Sequence, residues 1–115
     1  MKFKDKTVVV TGSRRGIGLG IALEFAKLGA NVVLNGTREI DAETLAQFDA
    51  YPGEVMTFVG DVSKFDVAEN FINEVKERFG RIDVLVNNAG ITRDGLLMRM
   101  SESDFDDVMN INLKG

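Results

Sequence analysis

The sequence contains no cysteine and no histidine, and both absences exclude particular kinds of chemistry. Without cysteine there is no disulfide framework, no thiol nucleophile and no thiolate metal site. Without histidine there is no imidazole base, which excludes a Ser-His-Asp triad or a histidine-bearing metal centre in this chain. Acid–base chemistry here depends on Asp, Glu, Lys, Arg or the single tyrosine, Tyr51. We predict no metal site.

Long apolar runs and clusters of positive charge are also missing. No apolar stretch approaches the length that a bilayer span needs, and residues 1–6 lack the apolar core of a signal peptide. We therefore expect a cytoplasmic protein without a membrane partner. The net charge of -4, with no cationic cluster beyond Arg14 and Arg15, argues against nucleic acid as a partner.

The length and composition are those of a single globular domain. The chain has 115 residues, of which 44% are hydrophobic and 28% are charged. Apolar runs predict four strands, at residues 7–11, 31–35, 54–59 and 83–87. The spacing of apolar residues predicts helices over residues 17–28, 41–51 and 63–79, and a last helix that begins at Ser101.

The spacing of particular residues supports the first and the last of these helices. In the first helix, the apolar residues at helical spacing are Ile17, Ile21, Phe25 and Leu28. In the last helix, the residues at positions i, i+3, i+4 and i+7 are Phe105, Val108, Met109 and Asn112. Asn112 is therefore predicted to share the inward face of a helix.

Strands that alternate with helices across short connections imply right-handed crossovers and a parallel sheet. We expect an α/β fold, in which four strands and about four helices make half of a doubly wound parallel sheet.

The first predicted strand passes through a glycine-rich turn directly into a helix. The spacing Gly-x-x-x-Gly-x-Gly differs from the Gly-x-Gly-x-x-Gly of the general dinucleotide fingerprint. The physical demands are similar: Gly12 allows a sharp turn, Gly16 lets the backbone approach a pyrophosphate, and Gly18 lets the helix lie close to the sheet. A glycine-rich turn that binds no ligand stays open as the alternative.

Three motifs, each at the carboxyl end of a predicted strand, together resemble the cofactor site of the short-chain dehydrogenase/reductase family. They are Thr-Gly-Ser-Arg-Arg-Gly-Ile-Gly at 11–18, Gly-Asp-Val at 60–62 and Asn-Asn-Ala-Gly at 87–90. The resemblance covers essentially the whole chain. Residues 91–100 are similar to the segment that follows the third motif in bacterial 3-oxoacyl-[acyl-carrier-protein] reductases, except that Gly95 stands where a polar residue is expected.

The resemblance implies a dinucleotide site and assigns its residues. It places Asp61 and Val62 at the adenine, and the third motif beneath the adenosine ribose and the central sheet. The implied cofactor-binding residues are Gly12, Ser13, Arg14, Arg15, Gly16, Ile17, Gly18, Thr37, Arg38, Asp61, Val62, Asn88, Ala89 and Gly90. From the residues alone, Asp61 is equally compatible with an exposed turn acid, and the Asn and Gly of the third motif with an ordinary turn.

The residues after the second strand bear on the choice of cofactor. An NAD site usually has an acid there, which accepts a hydrogen bond from the ribose 2′-hydroxyl and would repel a 2′-phosphate. Here the sequence is Asn35-Gly36-Thr37-Arg38, without an acid. With Arg15 and Arg38 as guanidinium partners, the residues favour NADP(H). The alternative is that both arginines are solvated surface charges.

The resemblance also bears on catalysis. It implies that Asn112 is the family's helix asparagine, which holds a water in a proton relay; a buried amide bonded to backbone is the alternative. The family's catalytic Ser, and the Tyr and Lys of its Tyr-x-x-x-Lys motif, have no counterpart, since Val55 stands four residues after Tyr51. We expect residues 1–115 to be the dinucleotide-binding N-terminal part of a single domain, truncated in its last helix, from a reductase roughly twice as long. The resemblance implies that such a part is a three-layer Rossmann-like parallel sheet with the strand order 3-2-1-4.

In that order residues 83–87 form an edge strand, and a flat apolar edge favours pairing with another chain. Self-association is therefore expected, through this strand or through the faces of the elements that contain Asp83 and Phe105.

Two classes of function follow. The resemblance implies NADPH-dependent reduction of a 3-oxoacyl thioester in fatty acid synthesis, with an acyl-carrier-protein-linked or other thioester as substrate. This chain would then be the cofactor-binding half, inactive alone. The alternative is a non-catalytic half-domain that self-associates and binds nucleotide weakly or not at all.

Overall fold

A computed structural model describes residues 2–88 and the backbone of residues 109–112. Strands and helices alternate along these residues: β1 Thr7–Val10, α1 Gly16–Lys27, β2 Asn31–Gly36, α2 Ala42–Ala46, β3 Val55–Val59, α3 Phe65–Phe79, β4 Val84–Asn87 and β5 Met109–Asn112. The four strands predicted between residues 7 and 87 are confirmed. The predicted second helix is shorter than expected, and the Asp41 side chain caps it by accepting a hydrogen bond from the amide of Thr44 (2.8 Å).

The strands form one parallel sheet in the order β3-β2-β1-β4-β5, so the predicted order 3-2-1-4 is confirmed. Val9 at the centre pairs with Val33 of β2 and Leu85 of β4. These three residues belong to a buried cluster that includes the apolar face of α3. Their neighbours Val8 and Val10 belong to a second cluster that includes α1. Successive strand residues point to opposite faces, so the sheet is the middle of three layers.

The predicted first helix is confirmed as α1, and its buried face consists of small residues. The buried residues of this helix are Gly18, Ala22 and Ala26, whereas Ile17 is 66% exposed and Leu28 is 39% exposed. Small residues at every fourth position let the helix axis approach the sheet closely, and the larger Ile21 and Phe25 pack beside that contact. Two of the apolar residues at helical spacing, Ile17 and Leu28, therefore lie outside the buried face.

The predicted third helix is confirmed as α3. Its buried residues are Ala68, Phe71, Ile72 and Val75. Gly80 ends the helix in the left-handed region, with φ of 81°, which glycine adopts without the steric cost that a Cβ imposes. The helix begins at Phe65, and Ser63 does not cap it.

Residues 109–112 contradict the predicted last helix. They form strand β5, which pairs in parallel with β4 from Val84–Met109 to Asn87–Asn112. The segment Met-Asn-Ile-Asn alternates apolar and polar residues with the period of a strand, and pairing satisfies the backbone groups along the open side of β4. The prediction that β4 is an edge strand was therefore wrong. The predicted start of that helix at Ser101 lies outside the described residues, and self-association stays a prediction.

Among the residues that the structure describes, no helix has the length and hydropathy that crossing a lipid bilayer would require.

Candidate functional site

A cleft of about 890 Å³ lies at the carboxyl ends of β1, β2, β3 and β4. Ligands of open parallel sheets bind at this end, because the loops that follow the strands leave a crevice there. The residues that line the cleft are Gly12, Arg14, Arg15, Gly16, Asn35, Gly36, Thr37, Arg38, Gly60, Asp61, Val62, Ser63 and Asn88. Residues from all three predicted motifs therefore meet in one site.

The glycine-rich turn connects β1 to α1 in the way that its spacing predicts. Gly12 and Gly16 have positive φ values of 60° and 64°. A Cβ at Gly18 would collide with the carbonyl oxygen of Gly12, so only glycine allows this approach of helix to turn. Among the described residues no side chain caps α1, and its first turn contains no acid. The amides at the start of this helix are thus suited to an anionic group.

Ser13 was predicted to bind the cofactor, but its side chain is buried behind the glycine-rich turn. It is 0% exposed and does not line the cleft. Its hydroxyl donates to the carbonyl of Val10 (2.6 Å) and accepts from the amide of Asn35 (2.8 Å). The side chain of Ser13 therefore supports the turn from behind.

Asn35 is a site residue whose structural role sequence reasoning missed. Its side-chain oxygen accepts a hydrogen bond from the amide of Gly12 (3.1 Å). Its side-chain nitrogen donates to the carbonyls of Phe58 (3.1 Å) and Gly60 (3.2 Å). The signal in the sequence was a polar residue at the end of the apolar run Val32–Leu34, which we used only as evidence that no acid is present.

Asn88 connects the end of β4 to the same turn. Its amide donates to the hydroxyl of Thr11 (2.9 Å), and its side chain donates to the carbonyl of Gly12 (3.1 Å). The Thr11 hydroxyl in turn donates to the side-chain oxygen of Asn87 (3.2 Å). Asn88 thus both lines the cleft and holds its glycine turn. Ala89 and Gly90, the other residues predicted in this motif, lie outside the described residues.

Asp61 and Val62 form the wall that follows β3. One carboxylate oxygen of Asp61 accepts from both the hydroxyl (2.6 Å) and the amide (3.0 Å) of Ser63. The hydrogen bond from the Ser63 side chain, and then that from its amide, hold the pKa of the Asp61 carboxyl below its ordinary value. Asp61 is therefore negatively charged at neutral pH. Val62 is buried beneath it.

The opposite wall of the cleft is basic. It contains Arg14, Arg15, Thr37 and Arg38, so the lining has three arginines and one aspartate. The Nε of Arg14 donates to the carbonyl of Glu39 (3.3 Å), which ties the glycine turn to the loop after β2. A Cβ at position 36 would press against the Arg14 side chain, so Gly36 makes room for this crossing.

Two further predicted residues remain, Ile17 and Asn112. Ile17 is exposed at the start of α1. Asn112 is paired with Asn87 in the backbone of β5, so its predicted position on a helix face was wrong. Its relay role stays a prediction.

Comparison with known proteins places this architecture in one family. Residues 6–115 match the family described as short chain dehydrogenase. The 3-oxoacyl-[acyl-carrier-protein] reductase FabG of Staphylococcus epidermidis is 45% identical over 96% of this chain and 46% of its own length. FabG of Thermotoga maritima is 42% identical over 100% of this chain and 47% of its own length. The chain thus spans about half the length of the curated relatives it matches.

Solved structures show the same fold. A crystal structure of 3-oxoacyl-[acyl-carrier protein] reductase from Brucella melitensis in complex with NAD has a TM-score of 0.68 and 36% identity, over 74% of this chain and 33% of that chain. A metagenomic short-chain oxidoreductase in complex with NADP has a TM-score of 0.69 and 39% identity, over 78% of this chain and 41% of that chain. The sheet order, the glycine turn and the match over residues 6–115 agree: the chain belongs to the short chain dehydrogenase family of oxidoreductases.

Proposed function

We propose that this chain is the cofactor-binding part of a cytoplasmic, NADPH-dependent reductase that acts on 3-oxoacyl thioesters in fatty acid synthesis. The relatives at 42–46% identity that carry the name 3-oxoacyl-[acyl-carrier-protein] reductase support the substrate class. The observation that carries the cofactor choice is the basic wall of the cleft, where three arginines face the end of a strand that has no acid.

The start of α1 is the part of the cleft that fits a pyrophosphate. The helix dipole and the uncapped amides after Gly16 favour negative charge there, and Gly12 lets the backbone turn without a side chain in the way. The side chain of Asn88 donates to the carbonyl of Gly12, and this hydrogen bond offsets the repulsion between that oxygen and a phosphate.

The basic wall fits a phosphorylated ribose. Arg15 and Arg38 are able to make charge-assisted hydrogen bonds to a 2′-phosphate. Arg14 is held by Glu39 at the same wall, which adds positive charge and limits its motion. The negative charge of Asp61 lies on the wall that follows β3, where we propose that it contacts the adenine together with Val62.

The related structures do not by themselves decide the cofactor, because one is described with NAD and another with NADP. The choice of NADPH for this chain therefore rests on its own arginines. When bound, the nicotinamide supplies the hydride that reduces a carbonyl group. The residues described in this cleft bind and orient that cofactor.

The cofactor choice is tested by fluorescence titration of the chain with NADPH and with NADH. We expect tighter binding of NADPH, and we expect Arg38→Ala to weaken NADPH binding about tenfold while hardly changing NADH binding, because a charge-assisted hydrogen bond is worth about 1.5–3 kcal/mol. Arg78→Ala is the control, since Arg78 lies on α3 with Glu54 as its partner. Equal affinities for the two cofactors would contradict the proposal.

A second candidate function is a non-catalytic half-domain that self-associates and binds nucleotide weakly or not at all. A non-catalytic role is favoured by Tyr51, the only tyrosine, which packs against the core cluster around α1 and does not line the cleft. No phenol among the described residues is thus placed to polarise a substrate carbonyl. In an assay of NADPH oxidation with an acetoacetyl thioester we expect no turnover by the 115-residue chain, and turnover would contradict its inactivity alone. The NADPH titration separates the two candidates, because weak or absent binding would leave only the half-domain.

A further inference from the structure

Asn35 occupies a central position in the cleft. It is the residue before the last in β2, a strand that lies between β1 and β3, and it is 2% exposed. The turn after β1 carries the glycines, and the segment after β3 carries Asp61. Asn35 is therefore placed between the glycine turn and the segment after β3, both of which line the cleft.

Its hydrogen bonds join these two segments directly. The side-chain oxygen holds the amide of Gly12, and the side-chain nitrogen holds the carbonyls of Phe58 and Gly60. The backbone of Asn35 also bonds Ser13 in both directions: its carbonyl accepts from the Ser13 amide (2.7 Å) and its amide donates to the Ser13 hydroxyl. One residue thus contacts the glycine turn three times and the end of β3 twice.

We infer that Asn35 is a positioning residue that fixes the distance between the glycine turn and the adenine side of the cleft. The inference rests on the proposed function for its link to the cofactor, since the cleft is taken as the dinucleotide site. Asn35 acts through Gly12 and Gly60, whose positions set where the pyrophosphate and the adenine are able to bind at the same time.

The chemistry of the position requires an amide. One atom must accept from an N–H group while the other donates to two carbonyl oxygens, and among side chains of this length only asparagine does both. An ionised aspartate would keep the bond to Gly12 and place a negative oxygen against two carbonyls. This hydrogen bonding therefore disfavours an acid at position 35, whatever the effect of its charge on the cleft.

Asn31 provides a matched control within the same strand. It is the first residue of β2, and its side-chain oxygen accepts from the amide of Glu54 (2.9 Å), just before β3. Asn31 thus links β2 to the β3 segment through a side-chain amide, as Asn35 does, but at the end of the sheet that does not contain the cleft. Replacing Asn31 removes a comparable bond without touching the proposed site.

The experiment compares the chain with its Asn35→Ala, Asn35→Asp and Asn31→Ala variants. Two quantities are measured for each: the dissociation constant for NADP⁺, and the hydrogen exchange rate of the Gly12 amide by NMR in the absence of nucleotide. We expect Asn35→Ala to weaken NADP⁺ binding by about tenfold or more and to accelerate exchange at Gly12. We expect Asn31→Ala to change NADP⁺ binding by less than about twofold and to leave Gly12 exchange unchanged.

The aspartate variant adds a pH test that a general loss of stability would not reproduce. Below the pKa of the introduced carboxyl, its O–H donates to a carbonyl and its other oxygen accepts from Gly12. We therefore expect NADP⁺ affinity of Asn35→Asp, expressed relative to the wild-type chain at each pH, to recover between pH 8 and pH 5. The relative affinity of Asn35→Ala should stay constant over that range.

The outcomes separate the inference from the proposed function. If the wild-type chain does not bind NADP⁺, the proposed function fails, and exchange at Gly12 in the Asn35 and Asn31 variants still tests the positioning role. If Asn35→Ala does not fold by circular dichroism, the pH series of Asn35→Asp decides. Either of two results would overturn the inference. The first is a folded Asn35→Ala with unchanged Gly12 exchange and unchanged NADP⁺ affinity. The second is an Asn35→Asp whose NADP⁺ affinity and Gly12 exchange rate, each divided by the wild-type value at the same pH, do not change with pH.

Discussion

At the amino end of the sheet the buried carboxylate of Asp83 pairs with an arginine, whereas at the carboxyl end the buried polar side chains are neutral amides and hydroxyls around a cleft. Asp83 accepts from the amide of Thr7 (2.8 Å), donates its own amide to the carbonyl of Thr7 (2.9 Å) and forms an ion pair with Arg81. At the opposite end Asn35 and Asn88 hold the glycine turn.

The difference in hydrogen bonding between the two ends of the sheet indicates which end is able to bind a ligand. At the amino end the carboxylate of Asp83 is almost fully buried, and its described contacts join β1 to the segment before β4. At the carboxyl end the side chains of Asn35 and Asn88 form hydrogen bonds to the backbone. The start of α1 has no side-chain cap, and three arginines line the cleft. Amino-end substitutions should therefore change stability, and carboxyl-end substitutions should change nucleotide binding as well.

The largest expected effect is that of Asp83→Ala. It leaves the amide of Thr7 without its carboxylate and Arg81 without its partner, and breaking a buried ion pair costs about 3–5 kcal/mol. Because the Arg81 side chain is 43% exposed, we expect the lower end, about 3 kcal/mol, by urea denaturation. Glu24→Ala, which breaks the exposed pair with Lys27, should cost less than about 0.5 kcal/mol.

The same variant also checks the comparison between the two ends. The nucleotide affinity of folded Asp83→Ala should equal that of the wild-type chain. Both are measured by titration without urea, at a low temperature where the variant is folded. A large loss of affinity in folded Asp83→Ala would mean that the amino end of the sheet influences the cleft.

A smaller effect on stability, with a loss of binding, is expected for Gly18→Ala. The new Cβ would collide with the carbonyl of Gly12 and crowd the side chain of Asn88, and overpacking of this kind costs about 1–3 kcal/mol. We expect a lower Tm and much weaker NADPH binding. Gly20→Ala in the same helix meets no atom within 4 Å, so it should raise stability by up to about 1 kcal/mol and keep binding. Equal effects of the two substitutions would contradict the close approach of α1.

The smallest expected effect concerns the charge of Asp61. Its pKa in the folded chain is below the ordinary value of 3.8, since Ser63 donates to the carboxylate. A lowered pKa favours the folded state above the unfolded pKa, and this contribution is lost as the pH falls through the folded pKa. We therefore expect Asp61→Asn to flatten the dependence of unfolding free energy on pH below about pH 4.

An NMR titration checks the cause of that shift. The Asp61 carboxyl should titrate below 3.8 in the wild-type chain and closer to that value in Ser63→Ala, which lacks the hydroxyl donor. A wild-type Asp61 that titrates at or above its ordinary value would show that the Ser63 hydrogen bonds do not stabilise the carboxylate.

Much of the fold could be predicted because it depends on local patterns. The runs at Val8–Val10 and Val84–Val86 are apolar at every position, which is the pattern of strands buried on both faces. Gly12 was predicted to turn the chain sharply and adopts positive φ, as does Gly16 in the same glycine-rich turn. These features follow from side-chain size and backbone freedom at single positions.

Two features of the fold depend on how elements pack together and not on local patterns. Large apolar residues at helical spacing predicted helix α1, but the close approach of the helix to the sheet buries Gly18, Ala22 and Ala26. Helical spacing also predicted that Met109 and Asn112 belong to a helix, whereas the same residues have a strand's alternation and pair with β4. When a short segment fits both the helical and the strand period, the surface against which it packs determines its secondary structure.

The sequence by itself determined the alternation of strands and helices and the family motifs, because periodicity and turn chemistry act over a few adjacent residues. The strand order was predictable only through the resemblance of those motifs to a known family. The tertiary structure alone decided how the motifs join into one site. Asn88 reaches Gly12 across 76 positions, and Asn35 reaches it across 23. Hydrogen bonds over such separations form only after the parallel sheet has brought its carboxyl ends together, so the roles of Asn35 and Ser13 became visible in three dimensions only.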